Sequence, residues 1–446
     1  MSNNNNLYYL ILAAGKGTRM KSKKSKVLHQ IFNIPMLKLL TDEILDNKQE
    51  ASIITEEKSA EIKKLFKGER HINFITQAER LGTGHAVKLA IDNLDKKLTN
   101  KILVILYGDT PFITKDTIKK LAEQIKNGSD IAVAAFEKDT ENQYGKLIIN
   151  KNKLEKIVEF SDASKEEKKI KLCNSGILAI NHTAFHLVEK IKNNNKKNEY
   201  YLTDIINLAS EDKYNVSYSI IDEQEVQGIN NKADLAHANK YYFEKQRKKA
   251  LEGGVTIIDP DSVYLSHQVE FGQDVIIEPN VIISGKVKIS DNCQIRAFSY
   301  LENCHIGSDN IIGPFARIRP GTKTEHDVKI GNFVEIKNAK IKNDSKVNHL
   351  SYIGDAHIEE NVNIGAGTIT CNYDGFQKYQ TKIESGVFIG SNSALIAPIT
   401  IAANSIVAAG STITRDNKED SITIARAKQQ ELEGAATKFR NKHKKN

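Results

Sequence analysis

Ile277-Glu-Pro-Asn-Val-Ile-Ile283-Ser-Gly-Lys-Val-Lys-Ile289-Ser-Asp-Asn-Cys-Gln-Ile295 places an aliphatic side chain at every sixth position. The step begins at Leu265 and Phe271, continues to Leu301, and resumes after a five-residue step at Ile306, Ile312 and Ile318. After a longer interruption it runs from Ile330 through Ile336, Ile341, Val347, Ile353 and Ile358 to Ile364, then from Ile383 to Ile413. Neither a 3.6-residue helix nor an isolated period-2 strand keeps that rhythm, whereas a coil of three short flat strands turns one residue of each hexad inward. Sandwich strands are spaced unevenly and at longer intervals. Residues 265–413 therefore read as a parallel β-helix of about eight coils of three hexads, with Gly285, Asp291, Gly307 and Gly354 at corners.

This segment resembles the left-handed β-helix of hexapeptide-repeat acyltransferases, which implies trimers with acyl-CoA bound in a groove between neighbouring coils. Its rhythm breaks near Pro320–Val328 and Cys371–Gln380, and an insertion in a solenoid maps to a loop on one face. Polar groups that a plain solenoid does not need gather around the breaks: Arg319, Lys337, His349, Tyr352, Asn363, Asn372, Tyr373 and Ser391.

Outward from the repeats, 446 residues are too many for one typical core, so two or more domains are expected. A 40% hydrophobic and 27% charged composition is that of a soluble protein, and no apolar run reaches the roughly 20 residues that span a bilayer. Met1–Asn6 lacks the charged and apolar regions of a secretory signal, which places the chain in the cytoplasm without membrane insertion. Cys173, Cys293, Cys304 and Cys371 form no C-x-x-C pair, against both a zinc site and a disulfide framework. The net charge of +8 lies largely in Lys21–Lys26 and Arg440–Lys445. Without an aromatic platform or reading helix those runs suit solvent or a phosphate-bearing small substrate, not nucleic acid.

The first half alternates strands (7–12, 52–55, 71–76, 101–106, 131–136) with helices (59–66, 84–94, 115–126), the pattern of a mainly parallel α/β sheet with ligands at the strands' carboxyl ends. The first strand runs into Ala13-Ala14-Gly15-Lys16-Gly17-Thr18-Arg19-Met20. Small residues there admit phosphate oxygens to backbone N–H groups, and Lys16 and Arg19 neutralise charge. The spacing matches neither the dinucleotide-binding fingerprint nor a Walker loop. Gln77-Ala78-Glu79-Arg80-Leu81-Gly82-Thr83-Gly84 follows another strand, and Tyr107-Gly108-Asp109 follows the most apolar one. A lone carboxylate at such an end suits a divalent cation or, equally, a turn cap. Ala233–Glu252 reads as a connecting helix stopped by Gly253-Gly254.

Together L-A-A-G-K-G-T-R-M with Lys26, L-G-T-G-H-A and L-Y-G-D-T-P resemble the nucleotide-sugar pyrophosphorylases. Joined to the β-helix they are similar over nearly the whole chain to the bacterial bifunctional N-acetylglucosamine-1-phosphate uridylyltransferase and glucosamine-1-phosphate acetyltransferase family. The resemblance implies a nucleotidyltransferase domain (1–230), a helical linker (231–254) and an acetyltransferase β-helix with its tail (255–446). It implies UTP contacts at Leu12, Ala13, Ala14, Gly15, Arg19, Lys26, Gln77, Gly82, Thr83, Tyr107 and Gly108. Sugar contacts fall on Gly145, Glu159 and Asn174, and Mg²⁺ ligands on Asp109 and Asn230. Lys16, Arg19 and Lys26 would steady phosphoryl-type transfer, in which charge neutralisation and positioning do the work.

In the second half the resemblance puts the general base at His349 and glucosamine 1-phosphate on Arg319, Lys337, Tyr352 and Asn363. Acetyl-CoA falls on Ala366, Asn372, Tyr373, Ser391, Ala409 and Arg426. The implied product is UDP-N-acetylglucosamine, for peptidoglycan and lipopolysaccharide synthesis. The chain departs from the family pattern at Ser25, at Gln143 and at Ile54-Thr55-Glu56-Glu57. Two other readings stand beside this one: a nucleotidyltransferase whose β-helix only assembles it, and a non-catalytic sugar-nucleotide scaffold. The cluster around His349 opposes the first, and the pairing of Asp109 with Asn230 opposes the second.

Overall fold

The computed structural model describes residues 6–45, 49–139, 142–150 and 153–444, leaving residues 1–5 and Lys445 of the basic tail outside the described residues. The chain forms two compact units, residues 1–240 and 241–446. No helix among the described residues is long and apolar enough to cross a membrane.

In the first unit, Leu7-Tyr-Tyr-Leu-Ile-Leu12 is almost wholly buried, because branched and aromatic residues on both faces suit a strand covered by helices on each side. This strand, β1, lies in parallel between β2 (Glu50–Thr55) and the continuous apolar run Ile102–Tyr107, here β4; β3 (Ile72–Thr76) pairs with β2. Beyond β4 come β5 (Ile131–Glu137), the hairpin β6 (Lys146–Asn150) and β7 (Lys153–Val158), β8 (Leu172–Asn181) and β9 (Val216–Ile220). The order across the sheet is β9-β5-β8-β4-β1-β2-β3. Parallel pairing brings the carboxyl ends Leu12, Thr55, Thr76 and Tyr107 to one edge. β8 runs antiparallel to β4, so its opening residues Cys173 and Asn174 reach that edge too.

The second unit is a parallel β-helix with three sheets of ten, nine and eight strands. The first sheet runs from Thr256–Ile257 to Ile422–Thr423, the second from Tyr264–Leu265 to Thr412–Ile413, and the third from Val269–Phe271 to Ile399–Ile401. The hexad count of about eight coils is therefore short: Ile257 adds a strand before the regular run, and Ile422–Thr423 adds one after it. Each hexad aliphatic points inward, Ile277, Ile283, Ile289 and Ile295 being fully buried. Asn and Asp occupy many corners with left-handed backbone, which their short side chains tolerate. Asn292 and Asp355, one residue beyond the expected Asp291 and Gly354, carry it with φ of 58° and 49°.

The break expected at Pro320–Val328 is not an insertion. Thr324 lies six residues after Ile318 and six before Ile330, buried in a strand (Lys323–Thr324) of the third sheet. Its hydroxyl accepts hydrogen bonds from the Gly307 N–H at 3.2 Å and from Asn310 Nδ2 at 3.0 Å. A hydroxyl thus replaces an aliphatic group inside the coil because Asn310, itself fully buried, supplies a donor. The second break is a real insertion: inward Thr370 and Ile383 are separated by a loop closed by a Tyr373–Lys378 bridge.

Asn310 also donates to the Gly307 and Glu325 carbonyls, each at 2.8 Å, and its Oδ1 accepts the Val328 N–H. Asn310→Ala strands these buried groups and should cost about 1–3 kcal/mol, read as a lower urea midpoint of the β-helix unit by circular dichroism. An unchanged midpoint would contradict this role.

Candidate functional sites

At the carboxyl edge of the first sheet lies a cleft of about 220 Å³, lined by Leu12, Ala13, Ala14 and Gly15 on one side and by Gln77, Gly82, Thr83, Tyr107 and Asp109 on others. Backbone bonds lock the edge together: the Ala13 N–H donates to Ile54 at 2.9 Å and the Gly108 N–H to Leu12 at 3.0 Å. Gly82 opens helix α1 (Thr83–Leu98) with φ of 111°, and a Cβ there would stand 2.5 Å from the Tyr200 carbonyl oxygen. Only glycine permits that backbone and that approach. Gln77 Nε2 donates to the Gly82 carbonyl at 3.2 Å, and the Thr83 hydroxyl accepts the Leu202 N–H at 3.1 Å.

Four residues distant in sequence meet here. The Lys26 ammonium pairs with the Asp109 carboxylate and donates to Asn230 Oδ1 at 3.0 Å; Arg19 donates to that same oxygen at 2.9 Å. The Ile229 N–H donates to the Asp109 carbonyl at 3.0 Å, holding the Asn230 loop in place, and Asp234 accepts the Asn230 N–H at 2.8 Å at the start of helix α2 (Lys232–Glu252). Lys16 is exposed on its loop. Ser25, with φ of −53° and ψ of 139°, holds the extended backbone that proline would impose, and Lys26 keeps its place.

Glu159 accepts from the buried Thr203 hydroxyl at 3.0 Å, and the Asn174 N–H donates to the Gly145 carbonyl at 2.8 Å. Burial pushes the Glu159 carboxyl and the Tyr107 hydroxyl above their ordinary values. Gly176, with φ of 85°, lies flat against Tyr107; a Cβ would come within 2.7 Å of its ring. Arg80 and Glu199 also line the cleft, and Arg80 pairs with Glu56 of the unusual Ile54–Glu57 turn. Arg80 stands inside the Gln77–Gly84 stretch, but a single charged residue carries no signal of its own in sequence.

The second unit sorts its expected residues into two groups. The His349 carbonyl accepts the Gly367 N–H at 3.3 Å, Ala366 accepts Asn392 at 2.8 Å, Ser391 accepts Gly410 at 2.8 Å and Ala409 accepts Arg426 Nη1 at 2.6 Å. His349, Ala366, Ser391, Ala409 and Arg426 therefore stack in one column at the turns between the first and second sheets. His349 Nδ1 lies 2.8 Å from Asn332 Oδ1, which as acceptor puts the proton on Nδ1 and leaves the Nε2 lone pair free.

The other group sits at the turns between the second and third sheets. Asn338 and Asn372 both donate to Asp355, the former at 2.6 Å, and Arg319 pairs with Glu335 at 2.6 Å. A hydrogen-bonded neighbour, Lys378, pushes the Lys337 ammonium below its ordinary value, with burial and Arg319 adding to the effect. That crowding of cations is a ready seat for a phosphate. Tyr352 opens the strand Tyr352–Gly354 leading to this corner, and its ring lies against Gly354. Asn363 lies on the first sheet, opposite Lys346 and Phe388. The hydroxyl of Tyr373, which is largely exposed, donates to the Gly375 carbonyl at 2.6 Å. Lys378 and Asn332 had no sequence signal beyond their place near the breaks.

Comparison with known proteins agrees with both halves. Residues 9–174 match the MobA-like NTP transferase domain, and residues 380–415 match the six-repeat bacterial transferase hexapeptide family. The chain is 44% identical over 447 residues to the bifunctional protein GlmU of Bartonella bacilliformis, covering 99% of each chain. The chain belongs to the bifunctional GlmU family. GlmU of Zymomonas mobilis is 44% identical with 98% of each chain covered, and that of Agrobacterium fabrum is 41% identical over 439 residues. Like its GlmU relatives it is an enzyme, a transferase with a nucleotidyltransferase half and a hexapeptide acyltransferase half.

Asp204 opens helix α3 (Asp204–Glu211), and burial, with Glu159 and Asp162 nearby, pushes its carboxyl up to about 6. A raised folded value means a penalty absent below the unfolded value near 3.9 and full above about pH 6. Asp204→Asn should therefore raise the thermal midpoint at pH 7.5 and leave it unchanged near pH 4. Solvent screening and the helix start hold the gain to about 1 kcal/mol or less. An equal change at both pH values would contradict the assignment.

Proposed function

We propose that residues 1–240 transfer the uridylyl group of UTP to N-acetylglucosamine 1-phosphate, releasing pyrophosphate, and that the β-helix unit first acetylates glucosamine 1-phosphate from acetyl-CoA. The observation that carries the first assignment is the convergence of Asp109 and Asn230 oxygens on one cationic group at the cleft. Two oxygen donors of this kind fit a divalent cation that keeps waters and takes its other ligands from phosphates, as Mg²⁺ does. Among the described residues no three His, Cys, Asp or Glu groups cluster to hold a metal alone. Such an ion would neutralise phosphate charge when bound.

The chain's own groups do the rest. Gly15 and its neighbours leave room for phosphate oxygens, while Arg19 and Lys26 offset their charge. Gln77, Gly82 and Thr83 hold the uracil end, and Gly145, Glu159 and Asn174 hold the sugar. The sugar phosphate oxygen then attacks the α-phosphorus in line, and pyrophosphate leaves. Cytoplasmic supplies of UTP and acetyl-CoA fit this chemistry.

For acetyl transfer, His349 Nε2 takes a proton from the 2-amino group as that nitrogen bonds to the thioester carbonyl carbon, giving an oxyanion steadied near Ser391; its collapse breaks the C–S bond, and the CoA thiolate leaves with the proton held on His349. Acetyl-CoA lies along the His349 column, and the sugar phosphate sits on Arg319, Lys337, Tyr352 and Asn363. The column and the cationic corner occupy opposite ends of the same strands, so neighbouring copies facing each other would join them. An exposed ladder supports a homotrimer: Phe298 stacks on Phe315 at 4.9 Å, Phe315 on Phe333 at 5.1 Å, and Leu350 is 62% exposed one coil further.

Asp109→Ala should abolish UDP-N-acetylglucosamine formation from preformed N-acetylglucosamine 1-phosphate and leave acetylation intact; equal loss of both would point to misfolding instead. His349→Ala should slow acetylation by roughly 10² to 10⁴-fold and spare uridylyl transfer. Near-full acetylation by that variant would end the general-base assignment.

A further inference from the structure

Neither site uses the cations on the third sheet of the β-helix. Register places Lys288, His305, Lys323 and Lys340 opposite one another on four successive coils. Neighbouring strands lie about 4.8 Å apart, so this column spans about 14 Å in single file. Lys286 adds a fifth basic residue beside it. Lys286, Lys288, His305 and Lys323, with Glu270, Asn303 and Thr322, border a concavity of about 520 Å³, floored by Val287 and Cys304 and opened by Gly321 at the corner, and Lys340 continues the column beyond it.

Lys288, Lys323 and Lys340 have no ion-pair partner among the described residues. Further down the column the charge is answered: His357 faces Glu359 at 3.2 Å and Lys382 pairs with Glu384 at 2.8 Å. At the other end Glu270 stands opposite Lys288. Burial, and then Lys288 and Lys323, hold the His305 imidazole below its ordinary value, as a positive field requires.

The shape of that field narrows the ligand. The turns leaving this sheet carry Asp291, Asp309, Glu325, Asp327 and Asp344 against His326, which faces Asp309 at 3.1 Å, and Lys342, which pairs with Glu359 at 2.6 Å, so a net acidic edge runs beside the basic column. A bilayer or a duplex is wide enough to meet both stripes and gains little. Among Lys288, His305, Lys323 and Lys340 only His305 carries a ring, and without a run of aromatic side chains to stack successive bases single-stranded nucleic acid is disfavoured. A narrow, unbranched chain of phosphates fits the cations and avoids the edge.

We propose that the Lys288–Lys340 column is a docking surface for a linear polyphosphate-type anion, separate from both catalytic sites. The probe is end-labelled inorganic polyphosphate, followed by fluorescence anisotropy on the full chain with UTP saturating, so that the nucleotide cleft is closed to it. Binding should weaken with salt and fall at least ~10-fold in the Lys288→Gln, Lys323→Gln, Lys340→Gln triple variant, with both transferase activities unchanged as evidence of folding. A second variant, Asp309→Asn with Glu325→Gln, should tighten binding. Unweakened binding by the triple variant overturns the proposal, as does failure of the second variant to tighten it. Tighter capture of phosphatidylglycerol vesicles or of oligothymidylate than of polyphosphate, lost in the triple variant, overturns it in favour of a membrane or a nucleic acid.

Discussion

Each coil of the β-helix hangs from the previous one by backbone hydrogen bonds in fixed parallel register, and the organisation of the second unit depends on that constraint. Because register never slips, a hexad position becomes a column. The Ile283 column becomes the core, the His349 column lines the turns between the first and second sheets and the Lys288 column carries charge. A one-residue shift would turn each inward side chain outward, which is why a five-residue step such as Leu301 to Ile306 is absorbed at a turn while the strands stay paired.

The first unit applies a looser version of the same rule. Parallel strands end together, so residues as far apart as Arg19 and Asn230, 211 positions, meet at one edge without any local motif connecting them. The antiparallel strand β8 contributes Asn174 from its beginning where the parallel strands contribute from their ends. Charge is distributed unevenly: Arg19 and Lys26 meet at Asn230 and Lys337 stands beside Lys378, while burial raises the Glu159 carboxyl above its ordinary value.

What could be read in advance follows from how local each feature is. The hexads and the β-strand followed by a Gly-rich loop are short-range patterns, and they showed the fold of both units. Thr324 was misread as a break because periodicity counts only apolar residues, whereas the coil counts positions and accepts a hydroxyl when Asn310 satisfies it. The residues resembling known sites were placed by motif, yet their division into a column and a separate corner could not be, since it arises from which turn each occupies. Lys378 was invisible for the same reason: its partner Lys337 comes from another coil.

Under the proposed function, one chain holds two chemically independent sites connected only by a diffusible sugar phosphate. The most direct test mixes the Asp109→Ala and His349→Ala proteins in one vessel with glucosamine 1-phosphate, acetyl-CoA, UTP and Mg²⁺, and measures UDP-N-acetylglucosamine. The account predicts that neither protein alone forms it at an appreciable rate and that the mixture does, because the first supplies N-acetylglucosamine 1-phosphate and the second consumes it. A mixture as inert as its components, with both proteins folded, would contradict it.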